Sequence, residues 1–255
     1  MTPRMSEESF ADMEERFAVF AAAMAPGNPP LLRALEEKAR ADGVPVIRQG
    51  TQSLIRFLLE LKKPQRILEV GTGVGFSALL MLDALHGACE ITTIEKDPAR
   101  AAEAEKNFAE AGVGEISVIE EDSARAGSDE STTIEKDSAQ ADGKIRLFRG
   151  NAEEILRQLA ETEPGSFDFV FMDAAKGQYI HFLPGIVELT RAGGLLLSDN
   201  ILKEGEILES RYAVTRRDRT IHARMREYLL ALCRSDDWRT VLLEEGDGTA
   251  LSVRT

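Results

Sequence analysis

The chain has 255 residues, 43% of them hydrophobic, and a formal net charge of −13. This length suits one α/β domain with a sizeable core. No apolar run reaches the ~20 residues of a membrane span, and the acidic total argues against general affinity for nucleic acid. Cys89 and Cys233 have no metal-ligand spacing and read as buried free thiols, which fits a reducing cytoplasm. Acids at Glu7, Glu8, Asp12, Glu14 and Glu15 make the start unlike a signal peptide.

Ser6 to Met24 reads as a helix with Phe10, Met13, Phe17 and Phe20 on one stripe. Such a stripe is core or dimer contact, and a homodimer is expected. Pro26 to Pro30 is a break. Leu31 to Ala41 and Thr51 to Leu61 are two further helices, so residues 1–62 form an N-terminal helical cap. Arg66 to Ser77, RILEVGTGVGFS, follows. Ile67, Leu68 and Val70 make a buried strand, Gly71 to Gly75 a turn, and Phe76 onward a helix. A strand, a glycine turn and a helix N-terminus together make a site for a nucleotide-like molecule. The spacing is GxGxG, and Phe76 stands where a dinucleotide binder has its third glycine. That argues against an NAD-dependent oxidoreductase.

Glu90 to Glu95 is a second strand. Asp97-Pro98 then starts a helix, with Pro at its first position. Glu95 ends the strand next after the glycine turn, where an acidic side chain accepts hydrogen bonds from a ribose diol. Residues 114–143 carry nine acids against Arg125 and Lys136 and contribute −7 of the −13 charge. ITTIEKDPARA (91–101) returns there as STTIEKDSAQA (131–141). The segment reads as an acidic insertion at a surface loop, low in core-forming residues. Glu135 repeats Glu95, but no glycine turn and helix precede it.

Lys144 to Phe148 is a third strand, and Asn151 is the N-cap of the helix after it. Phe167 to Met172 is a fourth strand, ending at Asp173. Ala174 to Thr190 is mostly helix, and Gly194 to Ser198 is a fifth strand, ending at Asp199-Asn200. A long helix over Thr215 to Cys233 and two strands, Trp238 to Leu243 and Thr249 to Val253, close the chain. Strands alternating with helices imply a parallel sheet covered on both faces.

Ligands in such sheets bind beyond the carboxyl ends of the strands. Gly71 to Gly75, Glu95, Asp173 and Asp199-Asn200 all fall there. If the fourth and fifth strands are neighbours, Asp173 and Asp199 repel, and a shared divalent cation removes that cost. Asp173, Asp199 and Asn200 offer oxygen only, which suits Mg²⁺, Mn²⁺ or Ca²⁺ rather than zinc. Lys176, three residues after Asp173, falls on the same side of a helical turn and is placed to act as a general base. Tyr179 reads as acceptor-pocket lining or core. His86, His181 and His222 share no spacing and read as structural.

LEVGTGVGFS, TIEKD, GNA, FMDAAKGQY and LLLSDN, in this order, resemble the class I S-adenosylmethionine-dependent O-methyltransferases of the catechol and caffeoyl-CoA type. The resemblance runs from about Pro45 to Arg254. It implies a Rossmann-like, doubly wound, seven-stranded sheet whose last strand is antiparallel. It places Glu69, Gly71, Gly73 and Ser77 at the methionine end of the cofactor, Ile47 beside them, Glu95 at ribose, and Ala152, next to Asn151, at adenine. It assigns Mg²⁺ to Asp173, Asp199 and Asn200, puts Asp173 among the cofactor-binding and catalytic residues as well, and gives the base to Lys176. DAAKGQY, DNILKEGEI and SRYAVTRRDRTIHARMREYL further resemble the bacterial branch that methylates 5-hydroxyuridine in the tRNA anticodon. Arg211, Arg216, Arg217, Arg219, Arg224 and Arg226 form a candidate phosphate track there. A small catechol-like phenol is the alternative acceptor, and a cofactor-binding protein without catalysis the alternative class.

Overall fold

The structure, a computed structural model, describes residues 7–121, 131–135 and 143–255. Ser6 and residues 122–130 and 136–142 of the acidic segment lie outside the described residues, as does the side chain of Phe10. Three helices come first: α1 (Glu7–Met24), α2 (Pro30–Ala41) and α3 (Gln49–Lys62). Then follow β1 (Arg66–Val70), α4 (Phe76–Ala84), β2 (Glu90–Glu95), α5 (Pro98–Ala111), β3 (Glu115–Glu120), β4 (Ser131–Glu135), β5 (Lys144–Arg149) and α6 (Ala152–Thr162). The chain closes with β6 (Phe167–Met172), a 3₁₀ turn (Lys176–Gln178), α7 (Tyr179–Leu189), β7 (Thr190–Ser198), α8 (Arg219–Arg234), β8 (Trp238–Leu243) and β9 (Thr249–Arg254).

The strands form one sheet in the order β4-β3-β5-β2-β1-β6-β7-β9-β8. β3, β5, β2, β1, β6 and β7 run parallel, and β9 is antiparallel to β7. Among the described residues the sheet thus has nine strands, not the expected seven. The extra two, β3 and β4, come from the acidic segment, which forms a sheet edge where a surface loop was expected. The reason is local: Ile116 and Val118, two residues apart, are buried while Glu115, Ser117 and Ile119 between and beside them are less so, the period-2 pattern of a half-buried strand.

Two cores flank the sheet. Ile67, Phe169 and Phe171 face α2, α3, α4 and α5, whereas Leu68, Val170 and Met172 face α6, α7 and α8. Central parallel strands are buried on both faces, so β6 is apolar except for Asp168, whose carboxylate accepts from the N–H groups of Gln65 (2.8 Å) and Arg66 (2.9 Å). Asp97 caps α5 by accepting from the N–H groups of Ala99 and Arg100 (2.9 and 3.0 Å). On α1 the stripe is not core within one chain: Met13, Phe17 and Phe20 are 47%, 68% and 58% exposed. Cys89 is buried as expected, but Cys233 is exposed, on the outer side of α8. Among the described residues no helix is long and apolar enough to cross a membrane.

Candidate active site

Register brings the polar strand ends together. Val70 pairs with Ile94 on one side and Met172 on the other, and Met172 pairs with Ser198. The next residues, Gly71, Glu95, Asp173 and Asp199, therefore emerge along one edge. Asp199 N–H donates to Met172 O (3.0 Å), which confirms the fourth and fifth predicted strands as neighbours. Gly71 has φ +102, and a Cβ there would lie 2.2 Å from the Asp173 carbonyl oxygen. Only glycine lets β1 turn that close to β6.

A cavity of about 860 Å³ opens over this edge. Ile47, Gly71, Gly73, Ser77, Glu95, Asn151, Ala152, Asp173, Lys176 and Asn200 line it. Glu69 and Asp199 lie behind its walls, 0% and 1% exposed. The glycine turn is fixed by a carboxylate: Glu95 accepts from Gly73 N–H and from Asp97 N–H, both at 2.8 Å. Asn151 caps α6 by accepting from Glu153 N–H (3.2 Å). Glu135 sits on β4, three strands away from β2, and its side chain is outside the described residues.

Glu69 accepts from the Ser77 hydroxyl and from Thr93 Oγ1 (2.5 Å). Burial outweighs those bonds and pushes its pKa up to about 8. The folded state keeps a proton that the unfolded chain has released, so this group lowers stability as pH rises from the ordinary carboxyl range through about 8. Asp199 is raised to about 6, first by burial and then by the charge of Asp173. Asn200 N–H (2.9 Å) and Thr51 Oγ1 (3.4 Å) donate to its Oδ1.

Lys176 opens the 3₁₀ turn, and its ammonium sits among four oxygens. These are Asp173 Oδ1 (2.7 Å), Tyr179 Oη (2.9 Å), Asn200 Oδ1 (3.1 Å) and the Asp199 carbonyl (3.2 Å). The oxygens around it include two of the three expected metal ligands. Asn200 has φ +52, a left-handed conformation unusual for a residue with a Cβ. Such backbone persists where its surroundings over-determine it.

Tyr179 does not line the cavity. It is fully buried, with its hydroxyl 3.0 Å from Met172 O and 3.1 Å from Asp199 O. Its ring meets Tyr228 edge-on at 5.3 Å, and Tyr228 Oη is 2.6 Å from Ser198 Oγ. The two tyrosines brace the strand ends that carry Asp173 and Asp199. Sequence reasoning missed Thr51, Thr93 and Tyr228. Thr93 becomes a partner of Glu69 only once β2 is registered opposite β1, and Thr51 and Tyr228 arrive from remote helices.

The expected arginine track divides. Arg224 and Arg226 donate to the carbonyls of Gly177 (3.3 Å) and Ile207 (3.1 Å) and so hold α8 to its neighbours. Arg211, Arg216 and Arg217 are exposed, beside Tyr212 at 88% exposure. His222 is buried against the Glu209 carbonyl (3.0 Å), a structural role.

The family and the fold are shared with known proteins. A family model described as O-methyltransferase matches residues 28–138 and 130–255. A catechol O-methyltransferase from Niastella koreensis is 30% identical over 181 residues, 70% of this chain and 69% of its own. A putative O-methyltransferase from Mycolicibacterium vanbaalenii is 28% identical over 224 residues, 88% of this chain and 84% of its own. Among solved structures, an SAH-bound methyltransferase from Podospora anserina superposes with a TM-score of 0.72 at 23% identity, covering 100% of this chain and 99% of that one. A putative caffeoyl-CoA O-methyltransferase from Staphylococcus aureus gives 0.73 at 22% identity, covering 96% and 100%. The chain belongs to the O-methyltransferase family and is an S-adenosylmethionine-dependent O-methyltransferase.

Proposed function

We propose that this enzyme methylates one hydroxyl of a small catechol-like phenol, with a divalent cation held by Asp173, Asp199 and Asn200. The observation that carries the reading is the oxygen cage around Lys176 Nζ, on the wall of the cavity that also holds the glycine turn and Glu95. A positive charge already fits that cage, and the oxygens around it come from a carboxylate, an amide, a main-chain carbonyl and the Tyr179 hydroxyl, a hard all-oxygen set suited to Mg²⁺, Mn²⁺ or Ca²⁺. Among the described residues no group of three or more His, Cys, Asp or Glu is arranged for a metal, so the amide of Asn200 completes the set. When bound, the cation supplies Lewis acidity that lowers the pKa of an acceptor hydroxyl.

The chain's own residues do the rest. Glu95, pinned between two main-chain N–H groups, faces the ribose diol. Gly71, Gly73, Ser77 and Ile47 surround the methionine end, and Asn151 and Ala152 flank adenine. Lys176, as the neutral amine once its own proton has left for solvent, would receive the proton of the acceptor hydroxyl. Placing that oxygen in line with the methyl group is the larger share of the work. The exposed stripe of α1, with Phe57 of α3 also 66% exposed, supports a homodimer.

Exposed Arg211, Arg216 and Arg217 favour a second acceptor, 5-hydroxyuridine in the tRNA anticodon. Labelled methyl transfer decides between them. The label is expected in catechol with Mg²⁺ and absent with EDTA. Label in bulk tRNA, falling steeply with salt, would instead establish the second acceptor.

Glu69 gives a further expected result. Its carboxyl is mostly protonated at pH 7, and a cationic cofactor beside it favours the ionised form. Binding of S-adenosylmethionine at pH 7 should therefore release close to one proton, and affinity should rise between about pH 6 and 8. Calorimetry in buffers of different ionisation enthalpy reads the release. Glu69→Gln should remove it.

A further inference from the structure

The acidic segment is a repeat of β2. Three twelve-residue stretches run in series: EITTIEKDPARA (90–101), EISVIEEDSARA (115–126) and ESTTIEKDSAQA (130–141). The two matches of the family model overlap at residues 130–138, within the third copy. The second copy supplies β3, and β3 treats β5 as β2 does. Lys144 lies opposite both Glu90 and Glu115, and Arg149 opposite both Glu95 and Glu120. The strand has been copied onto the other side of β5 in the same register.

The copy reaches the turn after β5. Gly150 N–H donates to the Glu95 carbonyl (3.0 Å). Asn151 N–H donates to the Glu121 carboxylate (2.8 Å). The turn is thus clamped from one side by the original strand and from the other by its copy. Gly150 has φ +153, and a Cβ there would lie 2.5 Å from Glu121 Oε2, so the carboxylate rests directly on the glycine. Asn151 is the N-cap of α6, where a negative charge also meets the positive end of the helix dipole. Asn151 and Ala152 line the cavity.

We propose that Glu121 is a positioning residue of the cofactor site: it fixes the Gly150-Asn151 turn and thereby sets affinity for the adenine end of the cofactor. The inference rests on the cofactor placement proposed above. The inserted strand is then a working part of the site rather than an ornament at the sheet edge.

Calorimetry with S-adenosylhomocysteine on the full chain tests it. Glu121→Leu, which has no acceptor, should weaken binding about tenfold, the loss expected for a charge-assisted hydrogen bond. Glu121→Gln keeps an acceptor oxygen and should stay within about twofold. An unchanged affinity in Glu121→Leu overturns the proposal. Where that variant melts early, amide exchange on the unaltered protein without cofactor decides: Asn151 N–H should be protected, and exchange at the rate of a free loop amide overturns the clamp. Glu95→Ala separates the two readings. Binding lost in Glu95→Ala but untouched in Glu121→Leu overturns this inference alone, whereas no binding to the unaltered protein overturns the cofactor placement with it.

Discussion

Asp173→Ala should lower Mg²⁺-dependent turnover by at least ~10³-fold, about 4 kcal/mol of transition-state stabilisation. Asp173 is the carboxylate that pairs with Lys176 and that is proposed to share the cation. It accepts from Lys176 at 2.7 Å, it follows directly on the strand end that pairs with β7, and its charge raises the Asp199 pKa. Removing it takes one carboxylate from the cation set and one acceptor from the ammonium. The fold should survive, because Asp173 is partly exposed and the strand ends stay braced by Tyr179 and Tyr228. Three measurements check the result: turnover with Mg²⁺, Mn²⁺ binding by calorimetry, and melting temperature. Full activity of the unaltered enzyme in EDTA, or undiminished metal binding by the variant, would sink the proposed metal site.

Lys176→Met should lower kcat by ~10²–10⁴-fold, the usual contribution of a positioned general base, while cofactor affinity stays near its original value. The separation is expected because Lys176 has no hydrogen bond to the glycine turn or to Glu95; its partners are Asp173, Tyr179, Asn200 and the Asp199 carbonyl. An acidity series sharpens the test. A nitrocatechol gives up its proton more readily than catechol, so a base matters less to it, and the variant should lose less on the acidic acceptor. Equal losses across the series would make Lys176 a structural cation rather than a base. Full turnover by Lys176→Met would remove the catalytic role altogether.

Much of this site was legible in the chain because its signals are local. Gly71 to Gly75 announce a turn that a Cβ would obstruct, Pro98 after Asp97 announces a helix start, and Asp173 and Asp199 each end an apolar run. Period-2 and largely apolar runs likewise gave the parallel sheet, and β6 lies at its predicted bounds. The supporting groups were not legible, because contact between remote segments leaves no mark on spacing. Thr93 meets Glu69 through strand register, Thr51 reaches Asp199 from a helix of the N-terminal cap, and Tyr228 reaches Ser198 from α8.

The acidic segment shows the division most clearly. Its composition resembled a solvated loop, yet Ile116 and Val118 keep the alternation of a strand, and β5 offered an unpaired edge. Charge and repeat are properties of the sequence, whereas the edge that received the copy exists only in the folded sheet. The sequence by itself determined the α/β class and the glycine turn, because each depends on residues close together in the chain. Only the tertiary structure decided that a lysine fills the oxygen cage, that Glu69 is driven toward its neutral form, and that Glu121 holds the Asn151 turn. Those outcomes depend on burial and on neighbours that strand pairing, not chain order, brings within reach.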